Sequence, residues 1–420
     1  MLRKTAADSP LLLFLGGSAG LAISGFLVFS SLVIFGKLEA GYLIAVHLVL
    51  LAILITLHQC ILPVKERHPL AGWERSDILA LVLLAAGCIP VVIQANFYPY
   101  GGWDAWSCWN LKARFIFLGG TEWKNMFDPV LWRSNTAYPF LLPAVNAWVW
   151  SFGKEAVNTV PLAVSCLITF LTAGTLLFAV KKLTGRLYAV LAPLWLLSNI
   201  FIVTLAASQY SDLMVGNFFL ASVVAWISFI RTRSQGWLAV LAVMLGAMAF
   251  TKSEGLALAI ITASLIFLFL TLLRGDSRKK NDLLALGTAL AISFIPAAVF
   301  QLGYAPDSHT FINGLISDVK PTSLERLQAV FVFLGMELIS TKWNGLWLIA
   351  LAGLILSGRK AWRRELLLIP AAIILYLGAV SGVYWLNTFF DIAWWLGSTL
   401  NRILYALIPA LILWVFLAFE

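Results

Sequence analysis

The sequence predicts an all-α polytopic membrane protein with about twelve transmembrane helices. Three observations lead there. Of 420 residues, 61% are hydrophobic and only 12% are charged, which leaves too little polar side chain to cover a water-soluble domain. Apolar runs of roughly 15 to 25 residues recur from end to end, and about 20 helical residues cross a bilayer's hydrocarbon core. The Lys and Arg residues gather in alternate loops between those runs, as multi-pass chains place them.

The spans follow in order. The start, "MLRKTAADSPLLLFLGG", carries the charge and apolar core of a signal peptide. Its apolar run continues to about Phe35 without a small-residue cleavage site, so it reads as an uncleaved first span over about 11–35. The "GGSAG" inside it suits close helix packing. Further spans are expected at about 40–62, 77–98, 156–180, 187–207, 211–230, 236–251, 255–273, 283–303, 343–357, 366–386 and 401–419. Two segments are apolar but read as interfacial or re-entrant helices. "YPFLLPAVNAWVWSFG", 138–153, is short and carries Pro139 and Pro143; if it spanned, every later basic loop would change sides. "LERLQAVFVFLGMELIS", 324–340, is treated in the same way.

One membrane domain is expected over 1–420: two N-terminal spans in 1–76, a core in 77–303 with a large outer loop at 99–155, and a second outer loop with the last spans in 304–420. No fixed-period repeat or linker interrupts it.

The formal net charge is +9, and its distribution matters more than its size. Arg3, Lys4, Lys65, Arg67, Arg75, Lys181, Lys182, Arg186, Arg231, Arg233, Arg274, Arg278, Lys279, Lys280, Arg359, Lys360, Arg363 and Arg364 fall in alternate loops. The positive-inside rule places those loops in the cytoplasm and the others at the periplasm or exterior. The charge is a topology signal, so the expected partners include membrane lipids and no nucleic acid. The four cysteines lie too far apart in sequence for a disulfide framework or metal-type spacing. His47, His58, His68 and His309 lack acidic partners at helical spacing and read as structural. No phosphate-binding loop, dinucleotide fingerprint or nucleophile elbow occurs.

With the sides assigned, unusual polar residues collect on the outer one. Asp104 follows the third span in "YPYGGWDAWSCWNLKARF", which reads as a glycine turn followed by an amphipathic juxtamembrane helix carrying Lys112 and Arg114. Asp212 lies in "ASQYSDLMVG", between the fifth and sixth spans. Lys252 and Glu254 lie in "AFTKSEGLAL", between the seventh and eighth, and Arg402 begins the last span in "STLNRILYALIPALIL". An ionisable group at membrane depth costs roughly 2.5–3.5 kcal/mol on insertion scales. Any one of them alone could snorkel to water; convergence from four separate turns points to a site. A carboxylate beside cations suits a reaction that deprotonates a hydroxyl and expels a phosphate.

In that order, "GWDAWSCWNLKARF", "AYPFLLPAVNAWVWSFGKE", "SQYSDLMVGNFFL", "FTKSEGLAL" and "NRILYALIPAL" resemble the GT-C superfamily of membrane glycosyltransferases. The likeness is to the branch of protein O-mannosyltransferases and lipid A aminoarabinose transferases, and it covers about residues 77–419. The resemblance implies a GT-C-like fold with juxtamembrane helices in the first outer loop. It also implies transfer of a sugar from a polyprenyl-phosphate-linked donor to a lipid, glycan or protein acceptor on the non-cytoplasmic side of the cytoplasmic membrane. Asp104 then matches the catalytic aspartate that activates the acceptor, and Asp212 a second acidic position near the donor. Lys252 and Arg402 match phosphate partners, while Glu254, Lys112, Arg114 and Tyr138 join them as substrate-binding residues. A divalent metal is possible, with Asp212 and Glu254 as its ligands. Two departures stand out: "RSNTAYPF" lacks the His or Lys many members carry before the juxtamembrane prolines, and Ala105 follows Asp104 where many have a second acid. Two other classes share the general appearance: an O-antigen polymerase or ligase, which would rely on loop arginines, and a lipid or sugar transporter.

Overall fold

The computed structural model describes residues 9–61, 74–184, 186–272, 278–306 and 323–420. Of the described residues 83% are helical, and no strand occurs among them. Backbone donors and acceptors are satisfied within each helix, which is what a hydrocarbon surrounding requires.

Among the described residues six helical segments are long and apolar enough to cross a membrane: Pro10–Phe35, Arg75–Ala95, Thr159–Leu183, Asp212–Thr232, Ser253–Leu272 and Leu368–Leu386. Three helix pairs bring the total to nine if each bent pair is one span. They are Ala189–Leu197 with Ile200–Ala207, Lys279–Ser293 with Ile295–Gly303, and Ile392–Tyr405 with Ile408–Ala418, bent by 65°, 45° and 49°. Shorter apolar helices, Ala40–Thr56, Gly236–Thr251 and Leu346–Leu356, occupy the other expected positions.

In chain order the helices are α1 (Ser9–Phe35), α2 (Ala40–Ile61), α3 (Arg75–Gly87), α4 (Ile89–Ala95), α5 (Asn110–Leu118), α6 (Leu141–Gly153), α7 (Thr159–Leu183), α8 (Arg186–Leu197), α9 (Ile200–Ala207), α10 (Asp212–Thr232), α11 (Gly236–Thr251), α12 (Ser253–Leu272), α13 (Lys279–Ser293) and α14 (Ile295–Gly303). Beyond residue 322 come α15 (Leu324–Leu338), α16 (Leu346–Leu356), α17 (Leu368–Leu386), α18 (Ile392–Tyr405) and α19 (Ile408–Ala418).

The bends have identifiable causes. Pro296 and Pro409 sit in the first turns of α14 and α19, where a missing N–H is tolerated but the preceding helix cannot continue straight. At the 65° bend, Asn199 adopts an extended backbone and its side chain accepts from the Phe201 and Ile202 N–H groups at 3.0 and 3.3 Å, restarting the helix as α9. The spans expected at 187–207, 283–303 and 401–419 each coincide with one of these bent helix pairs. Arg402 lies in α18, ahead of the bend, rather than at the start of the final span.

The helix α10 is the axis of the bundle. Its first eighteen residues are all buried, and α7, α11, α18 and α19 surround it. A helix apolar on every side is stable only when enclosed this way. The first helix is part of the same core. Asn217 of α10 donates to Ser18 Oγ at 3.0 Å and accepts from Thr172 of α7 at 3.2 Å, so a buried polar knot ties three helices together. Close approach is possible because Gly174 leaves room for Phe14, whose ring would lie 1.9 Å from a Cβ at that position. By contrast α2 exposes Ile44, Leu48, Val49 and Leu54, a surface suited to lipid.

The loop at 99–155, expected outside, is folded onto the bundle. The segment 141–153 is a 13-residue helix, shorter than a span, with Leu141–Ala147 buried against its neighbours, of which α1 and α5 are the principal ones. Phe140 at its start joins Phe250, Phe300 and Phe29, with ring centroids 5.2, 5.4 and 5.4 Å away. Aromatic contacts at these separations each add roughly 0.5–1.5 kcal/mol beyond area burial, so they anchor the loop to three spans. The other short helix, α15, buries only Val330 and lies along α17 and α18.

The connectivity sets the two ends of the bundle apart. Asp212 opens α10, while Arg231 and Arg233 close it; Lys252 and Glu254 lie in the return turn after α11. The acidic turns are therefore at the opposite end from the basic ones. Of the basic residues used for the topology, Arg3, Lys4, Lys65, Arg67 and Arg274 lie outside the described residues.

Candidate functional site

The site begins with the glycine pair. Gly101 has φ +80°, a left-handed conformation that strains a residue with a Cβ. The Gly102 N–H donates to the Ser208 carbonyl at 3.0 Å, and a Cβ on Gly102 would sit 2.5 Å from the Tyr210 hydroxyl. The pair thus lets the chain after the third span lie directly on the turn between α9 and α10. Asp104 follows at the start of a π-helical stretch, Ala105–Trp109, which then continues as α5. The expected single amphipathic helix is therefore two pieces. Wider π turns are rare and recur at functional sites; here one rotates Cys108 and Trp109 inward, where both are buried.

Asp104 pairs with the Arg402 guanidinium. Both side chains are mostly enclosed, 20% and 14% exposed. The flat face of Arg402 lies over the Tyr210 ring, 5.0 Å from its centroid, an arrangement favourable for a cation on an aromatic face. Burial and the neighbouring Asp104 carboxylate push the Tyr210 phenol above its ordinary value, so it stays neutral.

A second ion group lies within electrostatic reach of the first. Lys252 occupies an extended residue between α11 and α12, and its ammonium donates to Asp212 Oδ1 at 3.0 Å and lies 3.5 Å from Glu254 Oε1. Glu254 also accepts from the Tyr138 hydroxyl at 3.1 Å. Burial alone would lower the Lys252 value, but Asp212 and Glu254 outweigh it and hold the ammonium above its ordinary range. Arg402 interacts electrostatically with Asp212 and Tyr138 as well as with Asp104. Four chain segments thus bring three carboxylates and two cations together, and a fifth adds the Tyr138 hydroxyl. Leaving one buried charge of such a group unpaired costs several kcal/mol.

Tyr138 is held from two sides. Its ring stacks on Trp109 at 5.8 Å and 7°, and its backbone carbonyl accepts from Lys112. The Lys112 ammonium, buried in the loop, donates to the carbonyls of Asn135 at 2.8 Å, Thr136 at 3.5 Å and Tyr138 at 3.0 Å. Lys112 shapes the turn that presents Tyr138 and touches neither carboxylate group. Burial lowers its value from the ordinary lysine range. Arg114 is also spent elsewhere: it donates to Asn158 at 2.7 Å and lies over Trp150.

Sequence reading alone missed Tyr210 and an amide chain beneath the site. Asn146 of α6 donates to Asn110 at 3.2 Å, and Asn110 of α5 donates to Gln209 at 3.0 Å, locking the outer loop to the α9–α10 turn. Gln209 and Tyr210 lie within the quoted "SQYSD", but neither residue type announces a role by itself. Burial pushes the Cys108 thiol up to about 11, so it remains a neutral packing group. His47 bonds the Leu43 carbonyl and Ser24 within the bundle; His68, His309 and the side chain of His58 lie outside the described residues.

The metal expectation rests on Asp212 and Glu254. Among the described residues no group of three His, Cys, Asp or Glu side chains is arranged to hold a metal ion, and one oxygen of each of these two carboxylates already faces Lys252. Two carboxylates sharing a lysine do not match the oxygen cage a hard cation takes. Searches against protein-family models and against curated proteins return no match for this chain.

Proposed function

We propose that this protein is a membrane glycosyltransferase of the GT-C type, with twelve spans, using a polyprenyl-phosphate-linked sugar on the non-cytoplasmic side. The observation that carries the reading is the meeting of Asp104, Arg402, Asp212, Lys252, Glu254 and Tyr138 at one end of an otherwise apolar bundle. That end is opposite the basic turns, so the positive-inside rule assigns it to the outside. Nucleotide sugars are cytoplasmic, so an outward site needs a donor anchored in lipid.

In the proposed reaction the Asp104 carboxylate takes the proton of an acceptor hydroxyl as its oxygen attacks the anomeric carbon. The bond from that carbon to the phosphate oxygen breaks, and the electron pair leaves with polyprenyl phosphate. Arg402 and Lys252 stabilise the negative charge gathering on the departing phosphate, a fixed-charge effect that strengthens in a water-poor site. Asp212 and Glu254 hold Lys252 charged and in place, and Tyr138 orients Glu254.

Asp104→Asn keeps the shape of the side chain but cannot accept the proton. General-base contributions are typically about a hundred to ten thousand fold, so transfer should fall by that order while detergent-solubilised protein stays monodisperse. Mass spectrometry of envelope glycolipids and glycans, with and without the protein, supplies the assay. Wild-type transfer by folded Asp104→Asn would remove Asp104 from this role, with Asp212 the next candidate.

One observation favours a second reading. Transporters place ligand sites at discontinuous helices, and three bent pairs occur here. Sugar or lipid flux in proteoliposomes without glycosyl transfer would establish a transporter instead.

A further inference from the structure

A carboxylate oxygen that accepts a hydrogen bond from a guanidinium must give up that partner before it can take up the proton of a substrate hydroxyl. Asp104 is in that condition. Its carboxylate is paired with Arg402, the cation assigned to the donor's phosphate. The two assignments compete for one side chain, and the geometry suggests how the conflict is resolved. Arg402 is supported by the Tyr210 ring beneath its guanidinium, so it can change partners in plane without losing that contact. Its Nε is buried and has no hydrogen-bond partner among the described residues, leaving a donor that a further anionic oxygen could use. Lys252 is not interchangeable with it, since Asp212 and Glu254 hold that ammonium between them.

We propose that the Asp104–Arg402 pair is a latch released by the donor: binding of a lipid-borne phosphate draws Arg402 from Asp104, and only then is the carboxylate free to accept a proton. This rests on the glycosyltransferase reading above and adds a binding order to it. With the donor absent, Asp104 is masked. With the donor present, the same guanidinium stabilises the phosphate and unmasks the base, so acceptor activation is confined to the loaded enzyme.

Masking has a thermodynamic signature. A ligand that must first displace an internal partner binds more weakly by the fraction of sites that are free. Asp104→Asn removes the competing charge and should tighten binding of farnesyl phosphate, used as a short probe of the donor head, on the order of tenfold. A simple loss of negative charge near an anion would also tighten binding, so the gain is measured again with Arg402→Gln. If Asp104 acts through Arg402, the gain from Asp104→Asn disappears in the double variant, because two residues in one interaction are not additive. Isothermal titration with purified, detergent-solubilised full-length protein reads all four states; Asp104→Ser and Arg402→Met replace either variant that is not monodisperse. A gain that survives in the double variant, or no gain at all, overturns the latch while leaving the donor assignment standing. Failure of the wild type and every folded variant to bind farnesyl phosphate overturns the donor assignment, and the latch with it.

Discussion

Lys112 shows why residue type does not settle residue role. From sequence it is a cation eight residues from Asp104 in a loop expected outside, indistinguishable from one that meets a phosphate. In the folded chain it is buried, 1% exposed, and caps three backbone carbonyls. Lys112→Met keeps the aliphatic stem and removes the donor. Leaving buried acceptors unpaired costs roughly 1–3 kcal/mol, so thermal unfolding in detergent should shift to lower temperature. Activity should also fall as the turn carrying Tyr138 loosens. A melting temperature equal to wild type would mean that water or another donor satisfies those carbonyls. Lys252 behaves differently: its partners are carboxylates, and its charge is sustained by them.

The elements that matter most are those that interrupt regular helix. Gly101 and Gly102 bring one turn onto another, the π-helical stretch after Asp104 turns Trp109 toward Tyr138, and the bend before Pro409 places Arg402 in a separate helix from the apolar α19. Gly102→Ala tests this level without altering any ionisable group. Its Cβ would meet the Tyr210 hydroxyl at 2.5 Å, displacing the ring that supports Arg402. Displacements of about 1 Å at a site typically cost on the order of a hundredfold, so a loss of that order is expected with a nearly unchanged melting temperature. Full activity in this variant would show that Tyr210 is not needed to hold the guanidinium. Element type was legible here, since length, hydrophobicity and flanking charge are local properties. The breaks were less so. Pro296 and Pro409 are visible, but the extended backbone at Asn199 depends on the neighbouring helices and leaves no distinctive sequence mark.

At the scale of the whole molecule, the bundle keeps its charged groups at its two ends. At the end opposite the site, Arg231 pairs with Glu365 at 2.8 Å, and Gln235 donates to Asp282 at 3.2 Å. The orientation is tested with single cysteines in a background lacking the four native ones. An impermeant maleimide should label Thr121→Cys, on the exposed outer loop, in intact cells. It should label Arg359→Cys, in an exposed basic turn, only after permeabilisation. The reverse pattern would place the acidic cluster in the cytoplasm, where a soluble nucleotide sugar could reach it and a lipid-borne donor would not be required.

The sequence by itself determined that this chain is a helical, multi-pass membrane protein, because apolar runs and loop charges are one-dimensional quantities that a bilayer reads directly. It also singled out Asp104, Asp212, Lys252, Glu254 and Arg402, because ionisable side chains bordering apolar runs are costly enough to stand out. Only the tertiary structure decided who pairs with whom. Arg402 is nearly three hundred residues from Asp104, yet the α18 bend and the glycine turn make them partners; Lys252 goes to Asp212 and Glu254; Lys112 and Arg114 go to the loop itself. Pairing depends on distances of a few ångströms between segments remote in sequence, and those distances are fixed by helix packing and broken-helix geometry rather than by any local pattern.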